Sequence, residues 1–150
     1  MIFICDVMLG KLAKYLRILG LNTIYIRNNT MLEDYKKQGD FSCLLTKRKK
    51  ITGYKKCIFI KSDTAKRQLE EIRYLISPFI NSEKVLTRCI VCNVELIKTE
   101  KADIEQYIPE FVFHHYEAFK VCPSCKKIYW KGSHAEHMSE LIEEMVDIRR

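Results

Sequence analysis

The sequence predicts an α/β fold in which a parallel sheet is flanked by helices and a small cysteine-rich module follows. Two observations support this fold. Over residues 1–80, short apolar runs alternate with segments of helical spacing, and two Cys-x-x-Cys pairs stand within residues 81–150. Alternating strands and helices are typical of parallel strands joined by covering helices. The chain is therefore predicted to divide into 1–80 and 81–150.

Residues 1–80 supply four predicted strands, at 2–5, 23–26, 43–46 and 57–60, because each range is a short apolar run. Apolar residues at positions 8, 9, 12, 16 and 19 follow one helix face and predict a helix over 8–19 that ends at Gly20. Helices are also expected at 31–38 and 64–76. Cys5, Cys43 and Cys57 fall within apolar runs, so we expect them in the core.

The two cysteine pairs are Cys89 with Cys92 and Cys122 with Cys125. A Cys-x-x-Cys turn lets two thiolates meet one ion, and two such turns complete the four-sulfur shell of a structural zinc site. The spacing predicts a zinc ribbon, with a short helix at 102–107 and a closing helix at 136–148. Iron with the same four ligands fits the spacing too. Disulfides are the other alternative, and we disfavour them because nothing resembling a signal peptide precedes the chain.

Composition indicates a globular protein: 47% of the 150 residues are hydrophobic, and no apolar run is long enough to span a bilayer. Because nothing resembles a signal peptide, we expect it in the reducing cytoplasm. The net charge of +7 is uneven. Residues 1–80 hold 16 Lys and Arg against 7 Asp and Glu, whereas residues 81–150 hold 10 against 12. The densest basic cluster is Lys47, Arg48, Lys49 and Lys50. Such a cluster attracts nucleic acid by releasing counterions, although a solvated loop has the same composition.

Several local strings together resemble the RNase domain found at the C-terminus of Mut-seven exonucleases. The first is Asp6 followed by Met8-Leu9-Gly10-Lys11-Leu12-Ala13 and by Leu16-Arg17-Ile18-Leu19-Gly20. The others are Thr87-Arg88-Cys89 with Cys92-Asn93, and Cys122-Pro123-Ser124-Cys125 with Ile128-Tyr129-Trp130, Gly132-Ser133-His134. The resemblance spans nearly the whole chain. It implies a PIN-like α/β domain followed by a zinc ribbon, and descent from a metal-dependent ribonuclease.

Nucleases of this kind gather carboxylates around one or two Mg²⁺ or Mn²⁺ ions. The resemblance makes Asp6 the first acid and Asp63 a later one, and helix N-caps are the structural alternative for both. Two further acids are missing. Arg48 stands where the family has an aspartate, and Asn29-Thr30 stand where it has another acid. Glu33 and Asp34 lie one helical turn later. They either substitute for the acid that is missing at Asn29-Thr30 or belong to a solvated helix face. We expect Mg²⁺ or Mn²⁺ here only if the nuclease centre is active.

The ribbon adds four candidate RNA contacts. Tyr129 and Trp130 offer rings for stacking on unpaired bases, or they pack the ribbon core. Arg88 offers a phosphate contact, or it forms a surface salt bridge. His134 offers a phosphate contact or a zinc ligand, or it caps the last helix.

Three functions follow from these patterns. The first is an RNA-binding protein with a degenerate nuclease centre, whose partner is ribosomal or other structured RNA within a ribonucleoprotein. The second is an active metal-dependent endoribonuclease. The third is an adaptor whose zinc ribbon binds another protein. The first function is favoured because acidic side chains are missing from the predicted nuclease centre and basic side chains are added beside it. The sequence leaves open whether the protein is an enzyme.

Overall fold

The computed structural model describes residues 1–36, 42–51, 54–132 and 143–144. The first part of the chain forms a four-stranded parallel sheet in the order β2-β1-β3-β4. Its strands are β1 (Ile2–Cys5), β2 (Thr23–Tyr25), β3 (Ser42–Thr46) and β4 (Cys57–Phe59). All four lie where the apolar runs predicted them, and the predicted α/β class with a parallel sheet is confirmed.

Helices cover this sheet at the predicted places. They are α1 (Gly10–Ile18), which follows a 3₁₀ turn at Val7–Leu9, then α2 (Asn29–Lys36), α3 (Ala65–Glu71) and α4 (Arg73–Ile76). The helix predicted at 31–38 begins two residues earlier, and positions 37 and 38 lie outside the described residues. The helix predicted at 64–76 is broken at Ile72, where ψ is 6°. Short 3₁₀ turns follow at Ser77–Phe79 and Ser82–Lys84.

Two apolar layers hold the sheet. On one face, the leucines of the first helical segment are at most 1% exposed and pack with β1 and β3: Leu9, Leu12, Leu16 and Leu19. On the other face, Ile4, Ile26, Leu32 and Leu44 form the second layer. Burial of these side chains is the main force that fixes the helices on the sheet.

The prediction that Cys57 lies in the core is wrong. Cys5 and Cys43 are buried as expected, but Cys57 is exposed. Cys57 begins β4, which is an edge strand of the sheet and has a neighbour on only one side. An apolar run at a sheet edge therefore does not bury every position.

The second part of the chain contains a three-stranded antiparallel sheet and the four-cysteine cluster, consistent with the predicted zinc ribbon. The strands are β5 (Ile97–Thr99), β6 (Phe119–Val121) and β7 (Ile128–Trp130), in that order. The insertion holds α5 (Lys101–Ile104), a 3₁₀ turn at Glu105–Tyr107 and α6 (Glu110–His115). Thus α5 and its turn match the helix predicted at 102–107, whereas α6 was not predicted. The closing helix predicted at 136–148 lies outside the described residues, except for 143–144, which are helical.

The ribbon docks at the amino end of the parallel sheet. Helix α1 starts beside the carboxyl end of β1 and returns to the opposite edge, where β2 begins. There Arg17 Nη1 donates to the carbonyl oxygens of Ile90 at 2.7 Å and Val91 at 3.1 Å, inside the first cysteine turn. Asn93 Oδ1 accepts a hydrogen bond from the Thr23 N–H at 3.0 Å. These contacts cross the predicted boundary at residue 80, which stays a prediction.

Gly20 makes this docking possible. Its φ of 81° is left-handed, and a Cβ at this position would lie 2.3 Å from the Lys84 carbonyl oxygen. Only glycine tolerates both the backbone angle and the close approach. The Leu86 N–H then donates to the Ile18 carbonyl at 2.8 Å. No helix among the described residues is both long and apolar enough to cross a bilayer.

Candidate nucleic-acid interface and metal centre

Asp6 lies at the carboxyl end of β1 and is 1% exposed. Its Oδ1 accepts a hydrogen bond from the Val7 N–H at 2.8 Å, so it caps the 3₁₀ turn before α1. Its Oδ2 accepts one from Thr46 Oγ1 at 2.7 Å. Thr46 ends β3, the strand next to β1, so the carboxyl ends of these two parallel strands meet at Asp6.

Arg48 covers the remaining side of this carboxylate. Its Nε donates to Asp6 Oδ2 and its Nη2 to Asp6 Oδ1, both at 2.6 Å. Its Nη1 donates to Asn29 Oδ1 at 2.9 Å. The Arg48 N–H also donates to Thr46 Oγ1 at 3.0 Å, which orients the loop after β3. One guanidinium therefore joins Asp6 to Asn29, the first residue of α2.

The local electrostatics follow from these bonds. Burial raises the pKa of Asp6, but hydrogen bonds from Arg48, Thr46 and Val7 outweigh it and hold that pKa below its usual range. The hydrogen bonds to Asp6 in turn raise the pKa of Arg48. Asp6 is therefore ionised at neutral pH, and its negative charge is neutralised by a fixed cation.

Asp63 also forms an ion pair with a basic residue, Lys47, but this pair is on the surface. Lys47 Nζ donates to Asp63 Oδ1 and to the Ser62 carbonyl, both at 2.8 Å, and the Asp63 side chain is 94% exposed. The hydrogen bond from Lys47 lowers the pKa of Asp63. Thr64, not Asp63, precedes the first residue of α3, so Asp63 is not the helix N-cap. Lys49 and Lys50 are exposed in the same loop, and Glu33 and Asp34 are exposed on α2.

The four predicted ligands Cys89, Cys92, Cys122 and Cys125 do come together. Their sulfur atoms all lie within 4.8 Å of one another. The Cys89 and Cys125 sulfurs are 3.8 Å apart, which is the edge length, about 3.8 Å, of a tetrahedron with Zn–S bonds of about 2.3 Å. The cluster can hold a metal such as zinc.

Two equivalent turns present these sulfurs. In the first, the Asn93 N–H donates to the Cys89 carbonyl and the Cys92 N–H to the Cys89 sulfur, at 2.9 and 3.4 Å. In the second, the Lys126 N–H donates to the Cys122 carbonyl at 2.9 Å, and the Cys125 N–H donates to the Cys122 sulfur at 3.4 Å. Asn93 and Lys126 have φ values of 65° and 66°, so each turn closes through a left-handed residue. Amide donors directed at sulfur favour the thiolate form that binds metal.

Tyr129 contacts the cysteine cluster through its hydroxyl group. It is 8% exposed, and its hydroxyl lies 3.1 Å from the Cys89 sulfur and accepts from the Ile90 N–H at 3.2 Å. Burial raises the pKa of Cys89, but hydrogen bonds from Tyr129 and the backbone outweigh it and lower that pKa to about 7. This placement supports the packing role for Tyr129, and its stacking on RNA stays a prediction.

Two of the other ribbon candidates, Trp130 and Arg88, are partly buried. Trp130 is partly exposed and its ring centroid is 6.5 Å from that of Phe119. Arg88 Nη1 donates to the Asn93 carbonyl at 2.6 Å, and its Nη2 lies 3.8 Å from Glu95 Oε1. His134 lies outside the described residues.

Sequence reasoning missed the residues that join the two parts. Arg17 and Asn93 make the contacts described above, and Asn93 Nδ2 also donates to Asn22 Oδ1 at 2.7 Å. The one available signal was the arginine itself, a charged residue between the inward-facing Leu16 and Leu19 on α1. A buried cation needs acceptors, but the sequence does not say which carbonyls provide them.

One of three comparisons with known proteins found a match. A search of curated proteins and a search of solved structures each found no match. A comparison with protein-family models matches the Mut7-C RNAse domain over residues 1–142. That range includes the sheet with Asp6 at its carboxyl edge and all four clustered cysteines, so this chain belongs to the Mut7-C RNase domain family.

Proposed function

We propose that this protein binds RNA and that its nuclease centre is degenerate. The observation that carries the proposal is the position of Arg48, which donates to both oxygens of Asp6 and to Asn29. The guanidinium thus contacts the two side chains at positions to which the family resemblance assigns metal-binding acids. Asp6 balances the charge of this guanidinium, and the Arg48 side chain, which is 37% exposed, reaches the surface in the same loop as Lys49 and Lys50.

A divalent ion does not fit this arrangement. Mg²⁺ takes carboxylate oxygens and water in near-ideal octahedral geometry. Here Arg48 donates to both Asp6 oxygens, a neutral amide stands at position 29, and like charge from Arg48 opposes a second cation. We therefore derive no metal-dependent cleavage step for this chain. A guanidinium forms charge-assisted hydrogen bonds with phosphate instead.

Binding at this edge would depend most on Lys49 and Lys50. The charges of Lys47 and Arg48 are balanced by Asp63 and Asp6, whereas Lys49 and Lys50 are exposed in the same loop. Unbalanced cations gain most from releasing counterions of a polyanion. We infer RNA as the partner because family membership implies an RNA substrate, and structured RNA in a ribonucleoprotein as the context.

We also propose that the four cysteines hold one zinc ion per chain. All four sulfurs would ligate it, with the Tyr129 hydroxyl supporting Cys89. A closed four-sulfur shell has no open position for substrate, so the ion would be structural. It would fix the first cysteine turn, and through Arg17 the docking of the ribbon on α1.

The test is RNA binding by fluorescence anisotropy over a salt series, together with a cleavage assay in Mn²⁺. We expect binding without efficient cleavage. Lys49→Glu with Lys50→Glu should weaken binding and flatten the plot of log affinity against log salt by about 0.7–0.9 for each phosphate that the variant no longer neutralises. The matched control is Lys66→Glu with Arg67→Glu, two exposed residues on α3.

Two results would overturn the proposal. Efficient Mn²⁺-dependent cleavage that disappears in Asp6→Asn would show that the nuclease survives. Salt-independent binding, or no RNA binding by the zinc-loaded protein, would leave the protein adaptor as the better explanation.

A further inference from the structure

We propose that the cavity between the ribbon sheet and the end of α1 binds the phosphate group of a phosphomonoester, held by Lys98, Lys120 and Arg88. The cavity has a volume of about 410 Å³, and all three residues line it. Pockets for small ligands span about 300–1,000 Å³, so this cavity has room for a phosphate together with a small organic body. The site is separate from the interface proposed near Asp6, which lies at the opposite edge of the parallel sheet.

The strand register places the two lysines side by side on one face of the ribbon sheet. Lys98 on β5 is directly opposite Lys120 on β6, and Lys120 is opposite Tyr129 on β7. Successive residues of a strand point to opposite faces, so Phe119 and Trp130 belong to the other face. The proposed sheet contacts to the ligand thus come from a single face.

The two lysines lack ion-pair partners. Among the described residues, the structure records no ion pair for either side chain. Lys98 is exposed and Lys120 is partly buried. Like charges directly opposite each other in an antiparallel pair destabilise a sheet. An anion between the two ammonium groups would replace this repulsion with attraction to both.

Arg88 brings a third cation to the cavity and has donors that the protein does not use. Its Nη1 donates to the Asn93 carbonyl at 2.6 Å. Its Nη2 lies 3.8 Å from Glu95 Oε1, which is too far for a hydrogen bond, and its Nε has no acceptor among the described residues. A guanidinium carries several N–H donors in a plane that suits a phosphate. Arg88 can therefore contact an oxyanion and keep its bond to Asn93.

The charge balance of the lining also favours an anion. Glu100 and Glu117 line the cavity as well. Glu117 Oε1 is 3.2 Å from Lys101 Nζ, so that carboxylate is already balanced by a lysine. Glu100 therefore remains against a larger set of lining cations: Arg88, Lys98, Lys120 and Lys131.

A phosphomonoester fits these cations better than a carboxylate does. It carries a charge of about −1.5 to −2 at neutral pH and more acceptor oxygens than a carboxylate, so it can contact Lys98, Lys120 and Arg88 at the same time. Ile18 and Leu86 add apolar side chains to the lining, against which the carbon body of the ligand can pack. Such a phosphate group occurs on small phosphorylated molecules and at the end of an RNA strand.

The experiment measures calorimetric binding of two matched pairs of ligands to the zinc-loaded protein. Ribose 5-phosphate is compared with ribose, and a 5′-phosphorylated RNA trinucleotide with its 5′-hydroxyl form. We expect the phosphorylated member of at least one pair to bind about tenfold more tightly or better. Preference within the ribose pair identifies a small phosphorylated molecule as the ligand, whereas preference within the RNA pair alone identifies an RNA end.

Two results of these titrations would overturn the proposal. The first is no preference for the phosphorylated member in either pair. The second is equal affinity for succinate, a dicarboxylate of similar charge, which would show that the cavity does not select a phosphate.

Lys98→Glu tests the lysine pair. Binding of the phosphorylated ligand should weaken by about tenfold or more, because a carboxylate replaces one of its charged donors. The thermal midpoint without ligand should stay equal or rise, since opposite charges then face each other across the strands. Weaker binding could therefore not be attributed to unfolding. Lys98→Gln, which only removes the charge, should weaken binding in the same direction.

The matched control is Lys66→Glu, which makes the same change of charge at an exposed position on α3 and should bind as the wild type does. Unchanged affinity in Lys98→Glu would refute the site.

Charge reversal of Lys49 and Lys50 separates this site from the interface near Asp6. At physiological ionic strength, where distant charges are screened, that double variant should keep the preference for the phosphorylated ligand. If the preference disappears there and persists in Lys98→Glu, the phosphate binds near Asp6 and the cavity proposal falls. If Lys98→Glu removes the preference while RNA affinity still depends on Lys49 and Lys50, both proposals stand.

Discussion

Arg48 donates hydrogen bonds to both carboxylate oxygens of Asp6, and each bond is 2.6 Å long. The two partners differ in environment: the Asp6 side chain is 1% exposed, whereas that of Arg48 is 37% exposed. The buried carboxylate thus depends on a cation that reaches in from the surface. Removing that cation has consequences for stability, for acid sensitivity and for metal binding.

Arg48→Ala should lower the free energy of unfolding. It leaves a buried carboxylate without its two charge-assisted bonds, which costs about 1–3 kcal/mol, toward the lower value because Arg48 is partly exposed. Urea denaturation measures the change. Lys47→Ala is the matched control, because its partner Asp63 is exposed, and it should lose clearly less stability. Equal losses in both variants would contradict this account of Asp6.

Stability should fall in acid, and Asp6 should account for part of the fall. The pKa of Asp6 in the folded protein lies below its value of about 3.9 in an unfolded chain. Its contribution is therefore complete above that value and is lost as pH falls through the folded pKa. Denaturation at fixed salt from neutral to acidic pH should show a shallower loss in Asp6→Asn. Some loss should remain, because the pKa values of Asp63 and Glu71 are also lowered.

Restoring acids should restore metal binding. In Arg48→Asp with Asn29→Asp, two carboxylates replace the groups that now meet beside Asp6. Mn²⁺ should then raise the thermal midpoint of the variant, because a ligand that binds only the folded state stabilises it. Wild type, with the zinc site loaded, should show no Mn²⁺ shift. A shift of equal size in wild type would mean that Arg48 does not block the site.

Elemental analysis should find one zinc per chain. Cys92→Ser should lower the zinc content and destabilise the ribbon, because binding of the ion and folding of its ligands are coupled. Cys57→Ser is the control, since Cys57 is exposed and lies outside the cluster. Full zinc occupancy in Cys92→Ser, or iron in place of zinc in the wild type, would require another assignment.

The two cysteine turns allow a matched comparison of docking. Asn93→Gly keeps the left-handed backbone but loses the side-chain bonds to Thr23 and Asn22, so it should cost about 1–2 kcal/mol. Lys126→Gly changes the equivalent residue of the other turn, whose side chain bonds to the Pro123 carbonyl within the ribbon. It should be neutral or slightly stabilising, because glycine relieves the left-handed strain. Equal effects in chemical denaturation would show that Asn93 does not anchor the ribbon.

Much of the fold was predictable because it depends on local patterns. The spacing of Leu9, Leu12, Leu16 and Leu19 specifies a buried helix face, and all four leucines are buried. The Cys-x-x-Cys turns specify their own geometry and bring four sulfurs together. The break at Ile72 was not predictable, because the apolar periodicity continues across it into α4.

The candidate site was only partly predictable. The family resemblance predicted Arg48 in place of an aspartate, and this stays a prediction. The hydrogen bonds from Arg48 to Asp6 and Asn29 were not predictable, because they depend on how the loop after β3 turns back. The docking of the ribbon against α1 was not predictable either. No local pattern encodes that docking, since Arg17 and the backbone carbonyls that it binds are far apart in sequence.

The docking of the ribbon at the amino edge sets a minimum length for any RNA that contacts both ends of the molecule. Helix α1, which runs between the two edges, has nine residues and is about 14 Å long. That distance corresponds to about four nucleotide steps of a stacked strand, at about 3.4 Å each. An oligonucleotide long enough to reach both the proposed interface near Asp6 and the ribbon would bind bivalently, and would gain affinity from effective concentration without any new contact.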